Sequence, residues 1–265
     1  EIAGIVDAVG EGVRQHKVGD EVFSLLGWGG FAEEVVIDAN TVFSKPPGMD
    51  FATAASFLMV YGTSYHALKD RARLQKGETL LVLGAAGGVG LTAVELGKLM
   101  GARVLAAASM TEKLELCQQY GADATINYRE EDLKRRVKAL SEGKGADVIY
   151  DPVGGDYSEP ALRAINWEGR YLVVGFAAGD IPRIPLNLPL LKGCQIVGVF
   201  WGNFARREIA RNLANTMQLI QWFSEGKLKP HIEATYSLAE APKALRAIMN
   251  RQAKGKLVVE MREEA

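Results

Sequence analysis

Thr79-Leu80-Leu81-Val82-Leu83-Gly84-Ala85-Ala86-Gly87-Gly88-Val89-Gly90 carries the architecture of this chain. Thr79 to Leu83 is a short apolar run without charge, the composition of a strand buried on both faces of a sheet. Ala85 to Gly90 then reads AxGxxG, the GxGxxG fingerprint with Ala at its first position. Residues 89–100 follow with an amphipathic helical pattern, and Arg103 to Ala108 is a second apolar strand. A glycine-rich hexapeptide alone also serves ordinary tight turns and close helix packing. Set between a strand and a helix, in a βαβ unit that closes at Ser109, it points to dinucleotide binding. Gly87 and Gly88, flanked by Ala86 and Val89, let main-chain N–H groups approach a pyrophosphate at the positive end of the helix. Gly90 lets that helix pack closely on the strand.

Outward from this unit the alternation continues. Ala124 to Asn127, Val148 to Asp151, Arg170 to Gly175 and Gln195 to Phe200 read as further strands, and 112–120, 130–141, 157–165 and roughly 206–225 as helices. That is the pattern of an α/β doubly wound parallel sheet. Upstream, Ile2 to Gly10, Asp20 to Phe23 and Phe31 to Ile37 are strand-length runs between glycine-rich turns, read as a small antiparallel, barrel-like unit. Lys45-Pro46-Pro47-Gly48 punctuates the chain, and Asp50 to Asp70 has helical spacing. Past Lys229-Pro230 come a strand-like piece, a helix from Leu238 to Arg251 and a closing strand from Lys256 to Glu260. This tail is expected to return to the first domain, which sets domains at 1–48, 49–228 and 229–265.

Composition narrows the function class. Of 265 residues 48% are hydrophobic and 24% charged, as in folded globular proteins. The 31 Lys and Arg against 32 Asp and Glu leave a charge of −1 and no field to draw the chain to nucleic acid or an anionic membrane. The basic run Lys134-Arg135-Arg136 shares its helix with Glu130, Glu131 and Asp132 and reads as a solvated face. No apolar run reaches the ~20 residues of a membrane-spanning helix. Cys117 and Cys194 stand alone and no two histidines share an HxxxH spacing, so we expect free thiols, a cytoplasmic setting and no metal site. The chain opens at Glu1 without Met and already in strand-like sequence; the expectation is a preceding segment, which leaves an organellar signal open.

The residue after the second strand distinguishes the dinucleotides, because a carboxylate there accepts bonds from a free ribose 2′-hydroxyl and repels a 2′-phosphate. Here it is Ser109, in Ser109-Met110-Thr111-Glu112-Lys113, with two hydroxyls and an ammonium suited to phosphate. Glu112 reads as a helix-start carboxylate. NADPH is therefore the expected cofactor.

Many ordered pieces resemble the medium-chain dehydrogenase/reductase superfamily, and within it the zinc-free quinone oxidoreductase (zeta-crystallin-like) family. They include Glu1-Ile2-Ala3-Gly4, Val18-Gly19-Asp20-Glu21-Val22, Gly30-Phe31-Ala32-Glu33, Gly62-Thr63-Ser64-Tyr65, Gly84 to Gly90, Gly121-Ala122-Asp123, Asp151-Pro152-Val153-Gly154-Gly155 and Leu228-Lys229-Pro230. The resemblance implies a Rossmann domain inserted in a GroES-like catalytic domain whose N-terminal part, with an Asn and a Tyr of the site, is absent from the chain read here. Only Phe23 to Gly29 stands where zinc members carry a four-cysteine loop, and Met59 stands at a zinc-ligand cysteine position. The resemblance places Thr63 near the nicotinamide, Met59 against the cofactor or substrate cavity, and Val153 and Gly154 beside the adjacent ribose. It places Gly175, Phe176 and Phe200 along the ring side, and Lys113 and Tyr128, with Arg251, at the 2′-phosphate. Phe176, Phe200 and Val153 suit a core equally well, Tyr128 an edge, and Arg251 a solvated helix end.

The implied activity is hydride transfer from NADPH to a quinone or another electron-poor enone. An enoyl-thioester or alkenal reductase shares every one of these motifs, and a non-catalytic NADPH-binding sensor or structural protein is the reading of another class. Asp151, at the end of a parallel strand, suits either a site residue or a cap of the following turn. Cys194 to Phe200 is apolar on both faces and should form the sheet edge. A homodimer through strand 194–200 is expected, with Pro182, Pro185 and Pro189 holding the approach extended.

Overall fold

The computed structural model describes residues 1–261. The chain begins with β1 (Ile2–Ile5), β2 (Glu21–Ser24) and β3 (Val42–Ser44), an antiparallel sheet in the order β1-β2-β3 with Ile2 opposite Ser24 and Val22 opposite Ser44. Phe31 to Ile37, expected as a strand, joins no ladder. Its strand-length run between glycine-rich turns suits a strand, but a strand exists only where a neighbour receives its N–H and C=O groups. The chain between Asp50 and Arg71 divides into α1 (Phe51–Ala54), α2 (Leu58–Tyr65) and a π-helical turn over His66–Arg71. Asp50 caps α1 by accepting from the Thr53 N–H at 2.6 Å.

A six-stranded parallel sheet follows, in the order β6-β5-β4-β7-β8-β9. Its strands are β4 (Thr79–Leu83), β5 (Arg103–Ala108), β6 (Ala124–Asn127), β7 (Ala146–Asp151), β8 (Ile165–Val173) and β9 (Gln195–Gly198). The helices between them are α3 (Gly88–Leu99), α4 (Thr111–Gln119), α5 (Leu133–Leu140), α6 (Ser158–Arg163) and α7 (Asn187–Lys192). Leu81, Leu105, Ile126, Val137, Ile149 and Leu162 make one continuous core between the sheet and its helices. The strands β4, β5 and β6 occupy the residues read from their apolar runs. The start of β8 lies earlier, because a bulge lets Ile165 pair with Ala146 before the regular register from Arg170. The approach to β9 is not wholly extended. Pro189 sits in the first turn of α7, where a missing N–H leaves no helical bond unmade.

Beyond the sheet run α8 (Trp201–Arg207) and α9 (Ile209–Ser224), so helix begins directly after the edge strand rather than near 206. Then come β10 (Ile232–Ser237), α10 (Ala241–Met249) and β11 (Lys256–Glu260), with the two strands paired in parallel. Packing gathers the chain into two compact units: residues 1–60 with those from 216 onward, and residues 61–215. The changeovers fall inside α2 and α9, whereas the turn chemistry at 45–48 and 229–230 marks the nearest breaks in pattern. In the first unit Glu1 is a junction: one carboxylate oxygen accepts from the Met59 N–H and the other from Lys256 Nζ, each at 2.8 Å. No helix among the described residues is long and apolar enough to cross a membrane.

Cys117, on α4, is wholly buried, and that burial pushes its thiol up to about 12. In the native protein a maleimide at mildly alkaline pH should therefore modify the half-buried Cys194 first and leave Cys117 untouched until the chain is unfolded. Equal labelling rates for the two thiols would speak against this packing.

Candidate functional site

At the C-terminal end of β4 the chain turns within its own van der Waals envelope. Gly84 adopts φ 56°, and a Cβ there would stand 2.7 Å from a γ-methyl of Val153. The Gly87 N–H donates to the Gly84 carbonyl at 3.0 Å, and the first bond of α3 runs from Leu91 N–H to Gly87 carbonyl at 2.8 Å. The N–H groups of Gly88, Val89 and Gly90 thus have no acceptor within the helix. No side chain caps this end. A Cβ at Gly90 would meet the Gly84 carbonyl oxygen at 2.2 Å, so only glycine lets α3 come down on the end of β4. A Cβ at Gly87 meets nothing closer than 3.4 Å, so that position is open for reasons other than packing. Ala86 lies buried under the turn. The result is a glycine-floored anion cradle at a helix N-terminus.

On one side of β4, Ser109 and Tyr128 stand at the ends of β5 and β6. Ala108 and Asn127 are register partners, and the Tyr128 N–H donates to the Ala108 carbonyl at 3.2 Å. The Tyr128 ring packs on Tyr157 with centroids 4.1 Å apart. Lys113 lies in the first turn of α4, the helix that leaves Ser109. Three of the residues expected at a ribose phosphate are therefore gathered along one strand-end edge.

On the other side of β4, β7 ends at Asp151, which is buried. Asp151 Oδ1 accepts from the N–H groups of Val153 and Gly154 at 2.8 and 2.9 Å, and Oδ2 from Ser158 Oγ at 2.8 Å and from the Tyr171 hydroxyl. Its carbonyl receives the N–H groups of Val174 and Gly175. Phe176 lies against Gly154, its ring 2.9 Å from where a Cβ would be. Val153, Gly154, Gly175 and Phe176 thus form a second cluster beside the cradle. Phe200 follows β9 and is 75% exposed, not part of a core.

Thr63, half-buried on α2, has its neighbour Ser64 fully buried. Ser64 Oγ donates to the Val89 carbonyl at 2.9 Å and lies 2.8 Å from Thr92 Oγ1 and 3.0 Å from the Tyr150 hydroxyl. Tyr61 donates to Glu95 at 2.7 Å on the same helix pair. Burial pushes the Tyr150 phenol well above its ordinary range. These hydroxyls register α2 on the first turns of α3, and nothing local in the sequence announces them. His66 is buried as well, its Nδ1 2.8 Å from Asp70 Oδ2 and its ring stacked on Phe204 at 3.8 Å. Met59 and Arg251 belong to the other packing unit and both are exposed, Arg251 beyond α10 at φ 57°.

Comparison with known proteins assigns the frame. Residues 1–47 match the alcohol dehydrogenase GroES-like domain and residues 88–221 the family described as zinc-binding dehydrogenase. The chain is 40% identical to the quinone oxidoreductase-like protein 2 homolog of Nematostella vectensis, over 99% of this chain and 73% of that protein. The chain belongs to the medium-chain dehydrogenase/reductase family. Among solved structures it superposes with TM-score 0.90 on Escherichia coli quinone oxidoreductase complexed with NADPH, 27% identical, covering 97% of this chain and 80% of that one. With the CurK enoyl reductase the TM-score is 0.89 at 28% identity, covering 98% and 77%. This member of the medium-chain reductases is an oxidoreductase with a Rossmann-like sheet and a GroES-like domain.

The two glycines of the cradle can be told apart by substitution. Gly90→Ala forces backbone apart and should destabilise the folded chain by about 1–3 kcal/mol, read as a lower denaturation midpoint. Gly87→Ala should leave that midpoint in place, since its methyl meets no clash. A midpoint unchanged in Gly90→Ala would contradict the close approach.

Proposed function

We propose that the chain is an NADPH-dependent reductase that delivers hydride to a quinone or another electron-poor enone without a metal ion. The observation that carries this reading is the cradle: open main-chain N–H groups at the head of α3, flanked by Ser109, Lys113 and Tyr128 with no carboxylate at the end of β5. A pyrophosphate suits the first and a ribose 2′-phosphate the second. When bound, NADPH supplies the hydride from C4 of its nicotinamide. The residues bind and orient: Lys113 offers its ammonium to the phosphate, and the Val153–Gly154 turn, Gly175, Phe176 and Phe200 shape the wall for the other half. Thr63 and Met59, on one helix, are read on the nicotinamide side.

Donor chemistry supports the metal-free part of this reading. Met59 brings a thioether where zinc relatives need a thiolate, and among the described residues no three His, Cys, Asp or Glu side chains come together. Two free thiols accord with the cytoplasmic setting this reading takes. Likeness to the CurK enoyl reductase favours one second reading, an enoyl-thioester or alkenal reductase. NADPH oxidation with 9,10-phenanthrenequinone, crotonyl-thioester and an alkenal in parallel decides between them. Turnover of the quinone alone supports the first reading and of the thioester the second, whereas tight NADPH binding with no turnover favours a sensor. Lys113→Ala should weaken NADPH by about 1–3 kcal/mol and leave NADH nearly unchanged. Equal loss for both places the ammonium elsewhere.

A homodimer through strand 194–200 completes the proposal. The strand β9 lies at the sheet edge, and Ile196 and Phe200 beside it are 43% and 75% exposed, an apolar edge of the kind that pairing covers. Ile196→Lys should convert a dimer into monomer in light scattering at micromolar concentration. A monomeric wild type excludes this interface.

A further inference from the structure

The strand order reverses between β4 and β7, and a dinucleotide in a doubly wound sheet lies across that reversal. On the NADPH reading, with the 2′-phosphate at the ends of β5 and β6 and the pyrophosphate at the cradle after β4, the remaining half of the ligand would extend over the end of β7. There stands Asp151, 3% exposed, and among the described residues no Lys or Arg pairs with it. A buried carboxylate without a counter-ion is costly unless its lone pairs are filled. Here they are filled by two main-chain N–H groups on Oδ1 and two hydroxyls on Oδ2. The hydroxyls of Ser158 and Tyr171 fix the carboxylate plane, and the carboxylate fixes the turn. Gly154 is held at φ 69°, ψ −151°, a conformation open to glycine and few others. The main chain of Asp151 meanwhile holds Val174 and Gly175. One residue thus sets both loops beside the cradle and brings Val153 against Gly84.

We propose that Asp151 is a positioning residue for the nicotinamide half of the cofactor, acting through the Val153–Gly154 turn and touching no cofactor atom itself. This rests on the NADPH reading above. The test is calorimetric binding of NADPH and of adenosine 2′,5′-bisphosphate, which lacks the nicotinamide half, to the full chain and its variants. Asp151→Ala should lose about tenfold or more in affinity for NADPH and less than about twofold for the bisphosphate. Asp151→Asn keeps Oδ1 for the turn and offers its amide to two hydroxyl oxygens, so it should bind NADPH within about threefold of wild type. Equal loss of both ligands, or loss of neither, overturns the proposal, since a merely structural role would not separate them. Should Asp151→Ala fail to fold, Tyr171→Phe removes one donor from Oδ2 at nearly constant shape. It should weaken NADPH by about threefold and leave the bisphosphate alone, and unchanged NADPH affinity there overturns the proposal. A wild type that binds neither ligand fails the cofactor reading itself and takes the proposal with it.

Discussion

No side chain fits between the first turn of α3 and the end of β4. The 2.2 Å that would separate a Cβ at position 90 from the Gly84 carbonyl oxygen makes that approach a glycine-only arrangement, and much of the site follows from it. It lowers the helix until its open N–H groups stand at the level of the strand ends, where β5 and β6 present Ser109 and Tyr128. It also leaves a notch at Gly84 that a γ-methyl of Val153 occupies. The turn beyond the cradle therefore packs into space that the missing side chain of Gly84 leaves.

What keeps these pieces from sliding is a set of buried hydroxyl bonds. Ser64 joins α2 to the Val89 carbonyl and to Tyr150 on β7, and Tyr61 joins α2 to Glu95. Each such bond contributes only about 0.5–1.5 kcal/mol net, but leaving a buried partner unsatisfied costs about 1–3 kcal/mol. The penalty for misregister exceeds the gain from register, so the network works chiefly by making alternatives unfavourable. That suits a site whose function depends on distances between strand ends.

The cradle was legible because its cause is local. Glycine spacing, an apolar run and helical periodicity all act within neighbouring residues, and β4, β5, β6 and β11 lie where their patterns put them. The places of Ser109 and Lys113 in the fold were legible for the same reason, being fixed to the end of one strand and the start of one helix. Phe31 to Ile37 reads as a strand and forms none, because a strand-length run of apolar residues between turns does not state whether a neighbour exists to complete a ladder. Tyr171, Ser158 and Tyr150 were invisible, since their value lies in partners brought near by the sheet: Tyr171 is twenty residues from Asp151 in sequence and one strand away in space. The Asp-Pro-x-Gly-Gly sequence did carry a signal, an acidic residue placed to accept from N–H groups two and three residues on.

That saturation also bears on where the last proton of a reduction comes from. Hydride addition to a quinone or enone leaves an oxyanion that must be protonated, and Asp151 is the one acidic residue at the end of a central strand. Its oxygens already accept from four donors, so a proton on either would have to displace one of the bonds that hold the turn. Tyr171, the nearest phenol, already donates to that carboxylate, and burial together with the adjacent charge pushes it far above its ordinary range. Neither group can serve as the acid without dismantling the geometry it maintains. The network is built to hold shape, and under the proposed chemistry the part of Asp151 and Tyr171 is orientation rather than proton transfer.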